Sequence, residues 1–450
     1  MTSPPPPRFD ARERRSLVAI FLGAGLASLD IAIANTALPA IAASVNASPA
    51  DSIWVVTAYQ LAVVAVLLPF AALGDRIGPR RVYLAGMAAF VLASLGCALA
   101  GTLPSLAAAR AVQGIGGGAL MSVNIALVRM IYPPERLGRG VGLNALAVGV
   151  AFSLGPTVAS LVLSVASWPW LFAINVPIGG LALVFAWQAL PRTERRGQRF
   201  DPLTAMLTAV AFAAMIFALG AAAQREPWPW VLWPLAAAIA AGALLLRRQA
   251  GDPAPMLPVD LLRRPLFALS AVTSACSFTA QGIAFVALPF YFEGVLHRDP
   301  VQTGFLISPW PIVVALAAPF AGRLSDRYPP GALGGAGLAL LSAGMASLAW
   351  LPADPTATDI VVRMAVCGIG FGLFQSPNLR ALMASAPPER SGGASGVIAM
   401  SRLIGQATGA ALVALCFGLA GSAGPMWALG LGAAFAAFAC VASTARLWAR

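Results

Sequence analysis

The chain has 450 residues, 59% hydrophobic and only 10% charged, against roughly a quarter charged in a soluble domain, so water is the wrong solvent for most of it. Its net charge is +12 and every basic side chain is an arginine, but most of these arginines cluster in alternate inter-span loops, with little beyond Arg225 and Arg298 in the loops between, which marks membrane topology and argues against nucleic-acid binding. The five cysteines lie inside predicted spans without metal-ligand spacing, and His297 stands alone in a predicted outer loop; no metal centre, cofactor site or catalytic constellation can be assembled, which argues against an enzyme.

In chain order, residues 1–15 read as a cytoplasmic tail with a Pro4–Pro7 run. The first span, from about Ser16 to Ile41, is too long and too acid-interrupted for a cleavable leader. It carries Asp30, the carboxylate deep inside a predicted span. A charge there costs about 2.5–3.5 kcal/mol on insertion scales, so it must face a cavity or a partner, or hold a proton. Asp30 shares a stripe with Gly23, Ala27, Ala34 and Ala37 at three-and-four spacing, a small-residue face that points inward.

Span two ends in Leu73-Gly74-Asp75-Arg76-Ile77-Gly78-Pro79-Arg80-Arg81, where Asp75 can meet a helix N-terminus or an arginine and Gly78 permits a tight reversal. Span four places Arg110, Gln113, Gly117, Met121 and Asn124 on one polar face. Counted from the span ends at about 1.5 Å per residue, Asp30 and Arg110 differ in depth by roughly 7 Å, within reach of an arginine side chain. The expectation is that Asp30 exchanges a proton while Arg110 tunes it; the alternative is a permanent structural ion pair. Span five carries Gly142, Ala151, Gly155 and Pro156, small residues for close packing and a proline that frees a backbone carbonyl and allows a bend.

Six spans end near Leu190, two follow at Leu203–Ala222 and Trp228–Leu246, and six more run from Leu266 to Trp448, about fourteen in all. The expected divisions are therefore 16–190 for an N-terminal six-helix bundle, 191–265 for a linker with two extra helices, and 266–450 for a C-terminal six-helix bundle. An internal repeat supports this division. Ala37-Leu38-Pro39 recurs as Ala287-Leu288-Pro289, Asp75-Arg76 as Asp326-Arg327, and Arg110 with Gly114-Ile115-Gly116 as Arg363 with Gly368-Ile369-Gly370. Pro133-Pro134-Glu135-Arg136 returns as Pro387-Pro388-Glu389-Arg390, and Gly142, Ala151 and Gly155 as Gly396, Gly405 and Gly409. These matches, all offset by about 250 residues, imply two parallel halves that can rock about a central site. In the second half Ala280 stands where Asp30 stands in the first. Aromatic and amide side chains on central spans, Asn35, Tyr59, Gln113, Asn124, Gln281, Phe285, Trp310, Phe371, Phe374 and Gln375, are candidates for an adaptable apolar cavity with a few polar hooks.

The loop from Leu73 to Arg81 resembles the signature of the major facilitator superfamily, with Ala71 and Pro79 departing from the usual pattern. The strings Leu29-Asp30-Ile31-Ala32-Ile33-Ala34-Asn35-Thr36-Ala37-Leu38-Pro39 and Trp168-Pro169-Trp170-Leu171-Phe172-Ala173-Ile174-Asn175-Val176-Pro177-Ile178-Gly179 are similar to the fourteen-helix drug:proton antiporter branch. So is Leu261-Leu262-Arg263-Arg264-Pro265-Leu266-Phe267. The resemblance implies an all-α membrane protein of the major facilitator fold in a bacterial cytoplasmic membrane, both termini cytoplasmic, working as a monomer without a cofactor. It implies that Asp75, Arg76, Gly78, Arg80 and Arg81, with Asp326 and Arg327, latch the halves in one conformation. It likewise implies that the string around Arg110 serves proton transfer and that the span-five residues form an antiporter-type motif. The reading that follows is a proton-coupled exporter of hydrophobic or cationic toxic compounds, with few protons per cycle and monocations or neutral compounds preferred to dications. Its rivals are a dedicated exporter of one metabolite, lipid or siderophore class, an importer, and a non-transporting receptor, which would leave the repeat and Asp30 unexplained.

Overall fold

The computed structural model describes residues 10–133, 136–192, 201–223, 226–249, 259–352, 354–387 and 391–448. The Pro4–Pro7 run, most of the Arg192–Arg199 linker, the Asp252–Pro258 stretch, Pro134, Glu135, Pro388, Glu389, Arg390, Arg225 and Arg450 therefore lie outside the described residues. Among those described there is no strand. Twelve apolar helical stretches of 20 to 31 residues and a thirteenth of 50 are long enough to cross a bilayer. The thirteenth is two spans: a short turn at Gly421–Ala423 divides it, Gly421 takes φ +54°, and Gly424 packs back on Phe417.

The long helices are α1 (Ala11–Thr36), α2 (Trp54–Ile77), α3 (Pro79–Ala98), α4 (Leu103–Ile131), α5 (Leu137–Val165), α6 (Asn175–Ala189), α7 (Pro202–Ala223), α8 (Trp228–Arg248), α9 (Pro265–Phe290), α10 (Pro309–Leu324), α11 (Pro330–Ala349), α12 (Ala357–Ser385), α13 (Ser391–Ala420) and α14 (Gly424–Ala445). Their ends follow from local chemistry. Asp10 and Glu13 form a reciprocal capping box at the start of α1, and Thr102 and Thr356 cap α4 and α12. Prolines open α3, α9, α10 and α11, where their missing N–H costs nothing. Pro39 interrupts α1, and the chain continues after Ala37 as a short helix, Leu38–Ser44.

The repeat is visible in the packing. A side chain at Gly114 would strike the Tyr59 carbonyl, and one at Gly368 the Trp310 carbonyl. Gly116 lies against Phe90 and Gly370 against Leu341; Gly155 lies against Ala32 and Gly409 against Gly282. Glycine at each of these places lets two helix backbones approach, and the same approach is made twice. Between the halves, α7 packs on both α2 and α13, while α8 packs on α7. The tryptophans of α8, Trp228, Trp230 and Trp233, are exposed at one end, and Arg247 and Arg248 sit at the other, the pattern of a lipid-facing helix with interfacial anchors.

The halves share one apolar core at the Arg-poor end of the bundle, where Ile33, Leu38, Ile41 and Phe172 join Phe285, Leu288, Phe292 and Ile307. Three side-chain hydrogen bonds cross there: Ser153 Oγ to the Pro311 carbonyl at 3.0 Å, Thr157 with Ser308 at 2.8 Å, and Ser160 Oγ to the Pro300 carbonyl at 3.3 Å. Toward the Arg-rich end the apolar clusters divide. One spans Leu17 to Leu190 and takes in Met400, Leu403 and Ala407 of α13; another holds Leu261, Phe267, Ala271, Leu382 and Ala394.

Candidate functional site

α4 and α6 both pack on α1 and close around Asp30, which is 1% exposed beside an Arg110 that is 0% exposed. Arg110 Nη1 donates to Asp30 Oδ2 and, at 2.6 Å, to Gln113 Oε1, while its Nε donates to the Val55 carbonyl at 3.0 Å. The other carboxylate oxygen, Oδ1, accepts from Gln113 Nε2 at 2.8 Å and from Asn175 Nδ2 at 2.7 Å. Gln113 also reaches Ser94 Oγ at 2.8 Å. The guanidinium is roofed by aromatic rings, 4.4 Å from the Tyr59 centroid and 5.4 Å from that of Phe172. Both carboxylate oxygens and the Nε and Nη1 of the guanidinium thus have partners, which is what a buried pair requires if it is not to cost several kcal/mol. Depth-counting brought Asp30 and Arg110 together, and the structure joins them. It adds Asn175, whose approach depends on how α6 docks and leaves no periodic signal.

Gln113, expected in the cavity, belongs to this network. Asn35, Gln281 and Phe285 meet elsewhere, together with Gln60, Phe152, Val286 and Gln406, around a void of about 10 Å³ between α1, α2, α9 and α13. That is room for one water at most. Gln406 Nε2 donates to Gln281 Oε1 at 3.4 Å, whereas Asn35 Oδ1 and Gln60 Oε1 are buried without a partner. Rings line one wall: Phe285 packs edge-on to Phe152 with centroids 5.2 Å apart and lies 5.6 Å from Trp310, whose Nε1 is unpartnered. Tyr59 lies under Arg110, its hydroxyl also unpartnered. Asn124, farther along α4, is 4% exposed with both polar atoms unpartnered. Phe371 packs between Phe278 and Phe374, the Phe374 ring reaches toward Gly334 of α11, and Gln375 is part-exposed. These last three sit within the C-terminal half and not on the amide cluster.

One turn from Gln406 on α13 stands Arg402, which the loop-centred reading of the arginines passed over. It is partly exposed and stands near Tyr59 of the first half. Among the described residues no carboxylate pairs with it. Its signal was present in the sequence: a cation well inside an apolar span is as costly as Asp30.

The expected latch residues cluster at the Arg-rich end. Gly78 takes φ 96° between α2 and α3, where a β-carbon would be strained. Arg80 donates to the Trp187 carbonyl at 2.6 Å and Arg81 to the Ile77 carbonyl at 3.3 Å. Asp75 and Arg76 both have interaction partners. Asp326 receives Arg380 of its own half, and Arg327 closes the turn after α10. On α5, Ala151 touches Gly25, Gly155 touches Ala32, and the Pro156 carbonyl approaches Gly304, so the outer part of the helix is wedged between the halves. Gly142, nearer the Arg-rich end, has open space around it.

Comparison with known proteins gives the family and the fold. A family model described as Major Facilitator Superfamily matches residues 20–410. The chain is 48% identical to the uncharacterized transporter YebQ of Escherichia coli, covering 99% of this chain and 96% of that one. It is 32% identical to the methylenomycin A resistance protein of Streptomyces coelicolor, over 90% and 86% of the two chains, and 28% identical to the riboflavin transporter RibZ of Clostridioides difficile, over 89% and 87%. In fold it is similar to a bacterial homolog of the human lysosomal transporter Spinster in an inward-facing, occupied conformation, with a TM-score of 0.71 at 14% identity over 98% of both chains. With two pseudo-symmetric six-helix halves, a buried charge network on the first of them and a family match across most of its length, this chain belongs to the Major Facilitator Superfamily.

Proposed function

We propose that the protein is a proton-coupled exporter of amphiphilic toxic compounds, working by alternating access as a monomer in a bacterial cytoplasmic membrane with both termini inside. The observation that carries this reading is the sealed Asp30–Arg110 pair with its Gln113 and Asn175 donors. A carboxylate held by three side chains can take up a proton only when Arg110 releases it, so protonation and the packing of α1 against α4 are one event. With the Arg-rich end cytoplasmic by the positive-inside rule, the shared core and the three crossing hydrogen bonds lie on the outer side, as in an inward-facing carrier. Closing the cytoplasmic side would bring the Asp75–Arg81 and Asp326–Arg327 turns to the other half and fill the open space at Gly142. Inward movement of one proton supplies about 2.3 kcal/mol per 100 mV of membrane potential. The curated relative named for methylenomycin A resistance supports export of a toxic compound.

A dedicated exporter of one compound class remains the second reading. It is favoured by the fixed amide cluster of Asn35, Gln60, Gln281 and Gln406, since broad binders lean on adaptable apolar surfaces. The test is transport in reconstituted vesicles under an imposed pH gradient with a panel of dyes, quaternary cations, neutral aromatics and organic acids. Gradient-driven accumulation that disappears in Asp30→Asn is expected; gradient-independent transport, or full coupling in the variant, contradicts proton exchange. Protection of pump-deficient cells against a single compound class decides for the dedicated exporter.

A further inference from the structure

Asp30 is the acid deep in the bundle, and Arg110 neutralises it. The region between the halves therefore offers a cationic substrate no free carboxylate among the described residues at this depth. It offers the opposite. Arg402 lies eleven residues into α13, about 16 Å along the helix from Ser391 and about 27 Å from Ala420, within the hydrocarbon thickness. A guanidinium at that depth must face water or an anion, and no carboxylate of the described chain supplies one.

Its surroundings hold polar groups without partners. Its face of α13 continues one turn on, about 6 Å, to Gln406 at the amide cluster. There Asn35 and Gln60, 4% and 2% exposed, each hold an oxygen without a hydrogen-bond partner. Leaving such groups unpaired costs about as much as losing a hydrogen bond each, and polar atoms of a bound molecule would restore those bonds. Beside them Phe152, Phe285 and Trp310 pack on one another and close the cluster in this conformation, so a flat ligand enters here only as the two halves part.

Resting on the reading of this region as the substrate site, we propose that the protein carries an organic anion: a flat aromatic or heterocyclic acid whose carboxylate pairs with Arg402. Its polar ring substituents meet the amides of Asn35, Gln60, Gln281 and Gln406. Arginine suits this role because its planar fork matches a carboxylate in two hydrogen bonds. Coupling changes accordingly. Export of a monocation against one proton moves no net charge, whereas export of a monoanion against one proton moves two charges inward, so the membrane potential drives both movements.

The test is equilibrium dialysis of the purified full chain in detergent with three matched probes: naphthoate, naphthamide and naphthylmethyl-trimethylammonium. Naphthoate is expected to bind at least tenfold more tightly than the amide, and the ammonium compound most weakly. Arg402→Gln removes the naphthoate advantage, a loss of about ten- to a hundredfold, while naphthamide binding stays as in the wild type and shows that the cavity is intact. Arg402→Lys restores part of the preference. Binding of the ammonium probe as tight as naphthoate, unchanged naphthoate binding in Arg402→Gln, or no binding of any probe overturns the proposal. Because dialysis uses no gradient, failure of proton coupling would leave this ranking untouched, and a reversed ranking would leave proton coupling untouched.

Discussion

Arg110 of the N-terminal half and Arg363 of the C-terminal half stand one residue out of register. The contacts of Gly114 on Tyr59 and of Gly368 on Trp310 align Arg110 with the buried Met364. Arg363 is therefore turned about 100° around its helix, and the sequence echo between the two arginines does not correspond to a shared place in the fold. Arg363 stays partly exposed, pairs with Asp359 one turn away at 2.9 Å and donates to the Ser347 carbonyl. Where the first half has Asp30, the second has Ala280 and a helix whose hydroxyls, Ser270, Thr273, Ser277 and Thr279, bond back to their own backbone. Its buried cation, Arg446, sits at the Arg-rich end on Ser270, Asn378 and Ser443. One repeat thus carries two arrangements: the first half holds a buried charge pair, and the second has no acid at the matching place and carries Arg402, which no carboxylate among the described residues pairs, on the helix that faces the first half.

The largest effect should come from breaking the sealed pair on one side. Arg110→Ala leaves Asp30 buried without its cation and is expected to cost about 3–5 kcal/mol, read as a fall in the thermal unfolding midpoint in detergent; adding Asp30→Asn should recover most of it. The same change in the other half, Arg363→Ala, should cost no more than about 1 kcal/mol, as for a pair that solvent still reaches. Equal losses would erase the contrast between the halves. Next come the glycines of α5. Gly155→Val meets Ala32 and should cost about 1–3 kcal/mol, whereas Gly142→Val, in open space, should leave the midpoint unchanged but slow transport if that part of the helix closes in the opposite state. A midpoint loss at Gly142 as large as at Gly155 would show that it is already packed. The smallest effect belongs to Asp201 and Arg248 at the ends of α7 and α8, bonded at 2.8 Å and largely exposed. Hydrogen bonds from Arg248 and Thr204 hold the Asp201 carboxyl well below the usual carboxylate range. A depressed folded-state value gives stability that is complete above about pH 4 and fades as pH falls further. Asp201→Asn should therefore lower the unfolding midpoint by a small, constant amount between pH 5 and 8, as for an exposed pair, and converge with the wild type as pH falls below about 4; a large loss between pH 5 and 8 would mean that the pair fastens the two helices.

Much of this was legible because a membrane imposes few and strong rules. Span length, arginine placement and an offset repeat give the helices and halves, and the price of a buried carboxylate singles out Asp30. Helical depth then finds Arg110. Asn175 was not legible as a partner, since its amide reaches Asp30 only through the docking of α6 on α1. Gln60 and Gln406 were hidden for a similar reason: an amide in a span carries no charge to flag it, and only the meeting of α2, α9 and α13 gathers them. Phe371 and Phe374 mislead in the other direction, because aromatic side chains at helical spacing serve a half's own core as readily as a cavity.

The central claim is that Asp30 gives up and takes back a proton. Infrared difference spectra recorded across a pH titration of the protein in lipid test it without any substrate. A protonated-carboxyl stretch of a buried acid should appear as pH is lowered in the wild type and be missing from Asp30→Asn, with the remaining carboxyl bands unchanged. A band that persists in Asp30→Asn, or a wild type with no such band over the range in which it stays folded, would show that Asp30 and Arg110 are a permanent structural pair.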